Sequence, residues 1–552
     1  MKLNPNSWDK TNVSYNDWLE KSKLRLIFNQ KLKYEDYSLW WSTSLCNRDI
    51  SINYDRFLKL DFVINNKYKI TKPEIIKNTG YKKKFFIYLL LKLIKNFLLG
   101  ILFNIFSKIF YKKNNIKNDG INKNCFFSDY NNLVINRDNF ADRMYGNNLP
   151  KIDKESFYII NFGGAKWNFF SKVKNINKKL NKIKNNYYVA ENYLSIKDIC
   201  SVYISCVFSL LKLIIILRKK NYFIINKKDC SRILTPMLIE SFSGGIQQSL
   251  LMGLAVKNIN TSVKFSNFFS YMEFYTNARA IYHFLKKGNK FTKNIAVSHV
   301  INFSKRDFFF SFNKNEFSET NDSSFYSPKP DIFFSNGMKY SKFLKSIFSY
   351  TKNIYTIGSL KHDLKNLKEK KSYKKKIINK NSLLIILGNS NHKKTCQGLN
   401  NLNLSKYNII LKTHVYDRNI YGNNVINYFN KNFKFKFKTL KQYSTRELIK
   451  ASEFILVDGE TSLSVEALII KRKKILRLKP ENTIPIFDDL NYFIDVTDDE
   501  TFQKNIKKKI SLSKNVIKKI INDYFFKYDN KSVNRFLKII IKRKTLFNIS
   551  AR

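Results

Sequence analysis

Residues 454–468 read Phe-Ile-Leu-Val-Asp458-Gly459-Glu460-Thr461-Ser462-Leu-Ser464-Val-Glu466-Ala-Leu468, and no other stretch restricts the fold as tightly. A short apolar run closes in Asp-Gly. A Thr/Ser pair then opens a helix that carries a glutamate one turn in. Thr461 or Ser462 can cap that helix, and the unpaired amides of its first turn make a site for a phosphate. Strand–turn–helix junctions at the carboxyl edge of a parallel sheet are where nucleotide ligands tend to sit. The plain alternative is an ordinary capped helix after a strand.

The same alternation runs through most of the chain. From about residue 155, short apolar runs end in small or polar residues: Phe157 to Asn161 before Gly163-Gly164, Arg232 to Pro236, Asn294 to Ser298 before His299, Asp331 to Asn336-Gly337, and Asn353 to Gly358. Helical stretches separate them, near Gly245 to Val256 and Thr276 to Lys287. A lysine-rich break follows at 361–380, and the pattern restarts with Ser382 to Gly388, Asn408 to His414, Phe433 to Phe437, Glu453 to Val457 and Lys474 to Leu478. Strands alternating with helices predict parallel sheets covered on both faces. The expected fold class is therefore α/β, with two Rossmann-like domains at 151–365 and 366–552 facing a cleft. Residues 1–150 form a partly helical, aromatic-rich N-terminal extension containing Ser38-Leu39-Trp40-Trp41-Ser42 and a polar linker at 112–124. A chain of 552 residues is too long for one core, which fits this division.

Charge adds less than its size suggests. With 100 Lys+Arg against 42 Asp+Glu, the net charge of +58 favours anionic partners. The chain is equally saturated with Asn, Ile, Phe and Tyr, so AT-rich coding explains much of the lysine. No nucleic-acid-binding signature accompanies the charge, and nucleic acid is not an expected partner. The six cysteines lack metal or CxxC spacing and suit a reducing compartment. The first residues show no apolar signal segment, which gives a cytoplasmic expectation.

Two apolar stretches bear on membranes. Phe85 to Tyr111 is long enough to span a bilayer, but Lys92, Lys95 and Lys108 interrupt it. An amphipathic helix lying at the inner membrane face, against anionic lipid, is the expectation, with a helix buried against the main domain as the alternative. Ile199 to Leu217 reads as a core helix.

Polar groups at strand ends are the candidates for chemistry. Lys412-Thr413-His414 ends one strand, where lysine offers a point charge to a phosphate and His414 a hydrogen bond or proton. Glu466 can accept from a ribose or support its helix end. In the first domain, Glu273 and His299 pair a carboxylate with an imidazole that can deprotonate a hydroxyl; a helix-end charge and a satisfied histidine are the plain readings. Gly244-Gly245, Asn336-Gly337 and Gly358 are weaker candidates for lining the cleft. No Walker motif, dinucleotide fingerprint, nucleophile elbow or histidine metal spacing is present.

Taken in order, these pieces resemble bacterial surface-carbohydrate glycosyltransferases of the two-domain GT-B type, related to capsule and polysialic acid transferases and to CDP-glycerol glycerophosphotransferases. Met272-Glu273-Phe274, Ala278, Ala280 and Ile295 to His299 resemble the group's "FE…A…IGYQH". Pro330-Asp331 through Asn336-Gly337 and Gly358 resemble "PD.I..NG…I…G..R", Leu411 to His414 resembles "LK.HP", and Asp458 to Leu468 with Pro485 resembles "S.S…EAL…P". Val415 stands where the group has proline, and Lys361-His362 where an arginine is common. The resemblance implies a metal-independent transfer from a nucleotide-activated sugar to a surface polysaccharide or glycolipid acceptor, with no bound cofactor. Lys412, His414, Asp458, Gly459, Thr461, Ser462 and Glu466 would hold the donor, and Glu273 and His299 would serve the acceptor. The alternatives are a CDP-glycerol-type glycerophosphotransferase and a non-catalytic, membrane-associated polysaccharide-assembly protein.

Overall fold

The computed structural model describes residues 5–46, 54–65, 83–110, 124–130, 133–136, 139–142, 145, 156–162, 180, 187–271, 276–298, 326–347, 353–360, 381–388, 392–413, 424–440, 442–459, 461–479, 487, 490–527, 529 and 531–540. Two parallel sheets organise them. The first contains β1 (Asn124–Asp129), β2 (Phe157–Asn161), β3 (Tyr187–Val189), β4 (Asn267–Ser270), β5 (Lys293–Val297), β6 (Ile332–Ser335) and β7 (Ile354–Thr356). Its spatial order is β7-β6-β5-β4-β1-β2-β3, with every pairing parallel. The second contains β8 (Ser382–Ile386), β9 (Asn408–Lys412), β10 (Phe437–Lys438), β11 (Phe454–Asp458), β12 (Ile475–Leu478) and β13 (Phe493–Val496), in the order β10-β9-β8-β11-β12-β13. All five of its pairings are parallel too.

Counted from its own first strand, each sheet runs 3-2-1-4-5-6, and the first sheet adds a seventh strand at its edge. That is the Rossmann order, with a topological switch point between strands one and four. The expected α/β architecture of two Rossmann-like domains is therefore present. Its cause is visible in the strands: Phe-Tyr-Ile-Ile-Asn, Ser-Leu-Leu-Ile-Ile and Phe-Ile-Leu-Val-Asp are buried from end to end. Continuous apolar runs of this kind are stable only with both faces covered.

The helices that matter below are α1 (Pro5–Lys21), α2 (Lys23–Lys31), α3 (Tyr54–Asn65), α4 (Lys83–Phe110), α5 (Ile196–Lys219), α6 (Ile246–Val263), α7 (Thr276–Gly288), α8 (Met338–Ile347), α9 (His392–Asn400), α10 (Leu463–Lys471) and α11 (Lys514–Phe525). The N-terminal extension is no separate layer. Leu39, Trp40 and Trp41 belong to the same buried cluster as the first sheet, and the wholly buried Arg279 of α7 lies 5.5 Å from the Trp41 ring centroid. Strand β1, the switch-point strand of the first sheet, precedes the boundary expected at residue 150, so the first domain draws on chain assigned there to the extension.

The chain end also crosses between the units. Helix α11 packs in the second domain through Ile520, Tyr524 and Phe525. The helix at 532–540 that follows it sends Phe536 against Phe269 and Phe334 of the first sheet. Residues 366–552 are therefore not a self-contained unit.

One helix departs from its expected role. Helix α5, read as a core helix from its composition, buries Ile199, Val202, Cys206 and Leu213 but exposes Ile204, Phe208, Leu211 and Ile215 on one side.

Candidate active site

At the second switch point, β8 and β11 lie side by side with their carboxyl ends together. The Asp458 carboxylate ends β11, is buried, and accepts from the Gly388 amide at 3.2 Å and from the Thr395 hydroxyl of α9 at 3.0 Å. It fastens the loop after β8 to the loop after β11. The Gly459 amide donates to the Leu478 carbonyl at 3.2 Å, which ties the same turn to β12. Both residues, expected to touch the donor, set the shape of the edge through these bonds.

Helix α10 leaves this turn. Thr461 is buried; its hydroxyl accepts from the Leu463 amide at 3.4 Å, and its carbonyl accepts from the Ser464 hydroxyl at 2.7 Å. Ser462 occupies the cap position in helical conformation and makes no side-chain cap bond. Of the two capping candidates, Thr461 supplies the contact, because a cap side chain reaches forward only from an extended backbone. The Ser462 hydroxyl, half-buried, stands at the positive end of the helix.

Glu466 is buried in an ion pair: its Oε2 accepts from Arg446 Nε at 2.7 Å. The carboxylate thereby clamps α10 to the helix Thr445–Ala451 and supports the helix end. Lys412, at the end of β9, is also buried, and its ammonium donates to the Tyr443 carbonyl at 2.8 Å. A lysine at this depth with a carbonyl partner fixes the neighbouring 442–444 segment. His414 lies outside the described residues.

At the first switch point, β1 and β4 are neighbours. Here sequence reasoning missed a carboxylate. Asp129 ends β1; its Oδ2 accepts from the Tyr271 hydroxyl at 2.6 Å and its Oδ1 from the Asn161 amide at 2.7 Å. The Asp129 backbone amide in turn donates to the Tyr271 hydroxyl at 3.1 Å, so the two groups close a ring of hydrogen bonds. Asp129 keeps part of its surface exposed, yet the packing around it withdraws water. That desolvation raises its carboxyl above the ordinary aspartate range, and the hydrogen bonds from Tyr271 and Asn161 pull the other way without cancelling it. The missed signal is Cys-Phe-Phe-Ser-Asp129, an apolar run ended by an acid, of the same form as Phe-Ile-Leu-Val-Asp458. Glu273 and His299 lie outside the described residues. In sequence Glu273 comes two residues after Tyr271 and His299 directly after Ser298, and both Tyr271 and Ser298 stand at this same carboxyl edge.

Of the four cleft glycines, Gly244, Gly337 and Gly358 abut protein closely, whereas a Cβ on Gly245 would meet nothing within 4 Å. Gly244 (φ 155°) sits in the kink before α6, and a Cβ there would lie 2.9 Å from the Asn96 amide of α4. Asn96 also donates to the Ser243 carbonyl at 2.7 Å, so α4 covers this turn. Gly245, beside it, leads into α6. A Cβ on Gly337 would collide with the Asp523 carbonyl oxygen of α11. Gly358 (φ +89°) needs glycine for its backbone, and a Cβ there would meet Ser532 and Arg535, whose Nε donates to the Ile357 carbonyl at 2.7 Å. Gly337, beside the buried Asn336, and Gly358 thus admit the close approach of the returning C-terminal helices.

No family model matches the sequence, and no curated protein matches it. Solved structures of similar shape include the S. aureus MnaA–UDP co-structure, at 10% identity and a TM-score of 0.38, covering 77% of this chain and 98% of that one. A variant of the wall teichoic acid polymerase TagF matches at 12% identity and a TM-score of 0.37, covering 84% and 98%. The glycosyltransferase SnogD from Streptomyces nogalater matches at 8% identity and a TM-score of 0.32, covering 75% and 93%.

Proposed function

We propose that the chain is a glycosyltransferase that moves a sugar from a nucleotide-activated donor to a surface polysaccharide or glycolipid acceptor. One observation carries the reading. Two Rossmann-order sheets occur in tandem, and the switch point of the second opens onto a helix start whose Ser462 hydroxyl makes no cap bond. A helix N-terminus at a switch point is suited to a phosphate.

In this reading the donor's phosphate lies against the amide and hydroxyl of Ser462 at the helix start, with His414 as a further hydrogen-bond donor. Asp458, Thr395 and Glu466 hold that edge rigid. The acceptor hydroxyl forms a bond to the donor's anomeric carbon while the bond from that carbon to the phosphate oxygen breaks. The nucleotide leaves with the electron pair, stabilised by the helix start. The hydroxyl proton passes to Glu273, our assignment for general base, with His299 as the alternative. Asp129 acts through Tyr271, two residues before Glu273, and is a positioning residue.

The test is turnover by the full-length protein with a panel of nucleotide sugars and CDP-glycerol, in wild type, His414→Ala and Ser462→Ala. Sugar transfer that falls at least tenfold in His414→Ala supports the assignment. Turnover of CDP-glycerol alone would make the chain a glycerophosphotransferase, and unchanged rates in both variants would overturn the site.

A further inference from the structure

Among the described residues, nineteen large apolar side chains are strongly exposed, and fourteen of them lie on α4 and α5. Single exposed apolar residues are ordinary, but a concentration of this kind marks an interaction surface. The two helices are also in contact. The Phe97 and Tyr203 rings meet at 5.2 Å between centroids, and a Cβ on Gly100 would stand 3.8 Å from Ile199. Nearer the end of α4, Asn104 donates to the carbonyls of Glu191 and Leu194, just ahead of α5. Contacts therefore move forward along one helix as they move back along the other, and the pair is antiparallel.

The exposed residues keep to one side of each helix: Leu91, Leu98 and Ile105 on α4, and Ile204, Leu211 and Ile215 on α5. Each stripe lies about a third of a turn from the contact line, counting 3.6 residues per turn. In an antiparallel pair, stripes displaced in the same rotational sense fall on the same side. The result is one apolar face two helices wide.

We propose that this face inserts, in the plane of the interface, into a bilayer carrying anionic headgroups. Charge selects the occupant. Lys92, Lys95 and Lys108 on α4 and Lys212, Arg218 and Lys219 on α5 border or flank the stripes. The two helices carry one acid between them, Asp198, which is engaged in the capping box with Ser195. Basic side chains around an apolar face place their heads among anionic headgroups while their stems stay in the apolar layer. A second protein copy would have to bury the same cations against one another.

Spanning is excluded by what the other side of α4 does. Its 28 residues are long enough to cross, but Leu93 and Phe103 belong to the core of the first domain. Asn96 and Asn104 are bonded to backbone carbonyls of that same domain. Crossing would carry this packed, polar surface into hydrocarbon, where irregular backbone cannot be satisfied. Both faces are served only if the pair lies flat, half in protein and half in lipid.

The experiment is flotation of the full-length protein with vesicles of phosphatidylcholine, with and without phosphatidylglycerol. Wild type should float with the anionic vesicles and at least tenfold less with the neutral ones. Leu98→Glu and Phe208→Glu, both at exposed positions, should each lower flotation by a similar factor while melting like wild type. Phe208→Trp should add emission that brominated acyl chains quench, a readout that needs no loss of function. The proposal is overturned if wild type does not float, if Phe208→Glu floats unchanged, or if carbonate washing fails to release the bound protein. It is also overturned if the glutamate variants abolish a soluble dimer instead of lipid binding.

Discussion

The two switch points end in the same way and are used differently. Each presents an aspartate at the carboxyl end of a buried strand, Asp129 on β1 and Asp458 on β11. Asp458 is buried and bonded to a backbone amide and a threonine hydroxyl, so its carboxylate is a fastener between two loops. Asp129 is half-exposed, bonded to the side chains of Tyr271 and Asn161, and pushed above its ordinary carboxyl range. An apolar run closed by an acid therefore predicts a carboxylate at the edge of a sheet. What it bonds to there decides whether that carboxylate is structural or poised beside the chemistry.

This contrast sorts the expected effects of substitution. Glu273→Gln should lower turnover by about 10²–10⁴-fold, the range for loss of a general base, with donor affinity unchanged. Parallel donor binding and rate measurements check it, and a lost donor affinity would move Glu273 to the other edge. Asp458→Ala leaves the buried Gly388 amide and Thr395 hydroxyl without their acceptor, a penalty of about 1–3 kcal/mol for each group left unpaired. Urea midpoints should fall accordingly, and donor affinity with them; a variant as stable as wild type would remove the distinction drawn between the two acids.

Asp129→Asn should lower turnover by about tenfold through the Tyr271 segment, a loss of roughly 1.4 kcal/mol in transition-state stabilisation, while sparing stability. Its pH dependence gives the sharper result. The native carboxyl titrates above the unfolded value of about 3.8, so the native state keeps its proton to higher pH. Stability contributed by that proton is present below the unfolded value and is lost as pH rises through the native one. Asp129→Asn should flatten that fall in a pH series of urea midpoints, and an unchanged slope would show that Asp129 is not desolvated. The smallest effect belongs to Ser462→Ala. With no cap bond to lose, stability should move by less than about 0.5 kcal/mol, while donor affinity weakens severalfold. Equal losses of both would mean that Ser462 is a cap after all.

Much of the fold was legible because buried parallel strands advertise themselves. Leu383 to Ile386 and Phe454 to Val457 are apolar throughout and are flanked by polar or turn residues. Strand β1 escaped notice because it follows a long polar stretch and looks, from sequence, like part of the extension. The site was less legible, for a physical reason that recurs. A glycine that admits a ligand and one that admits a helix obey the same steric rule, so Gly337 and Gly358 could not be told apart from cleft residues until α11 and the helix at 532–540 were seen against them. Glu466 was ambiguous in the same way, since its partner Arg446 stands 20 residues earlier, on another helix. Composition likewise marked α5 as apolar without saying that one side of it meets no protein among the described residues.

The central claim is that the second switch point, and not the first, holds the donor nucleotide. Photolabelling the full-length protein with an azido-nucleotide, followed by peptide mapping, tests it directly. The account predicts label within 388–395 or 458–466, displaced by unmodified nucleotide and reduced in Ser462→Ala. Displaceable label confined to peptides around Asp129, Asn161 and Tyr271 would contradict it.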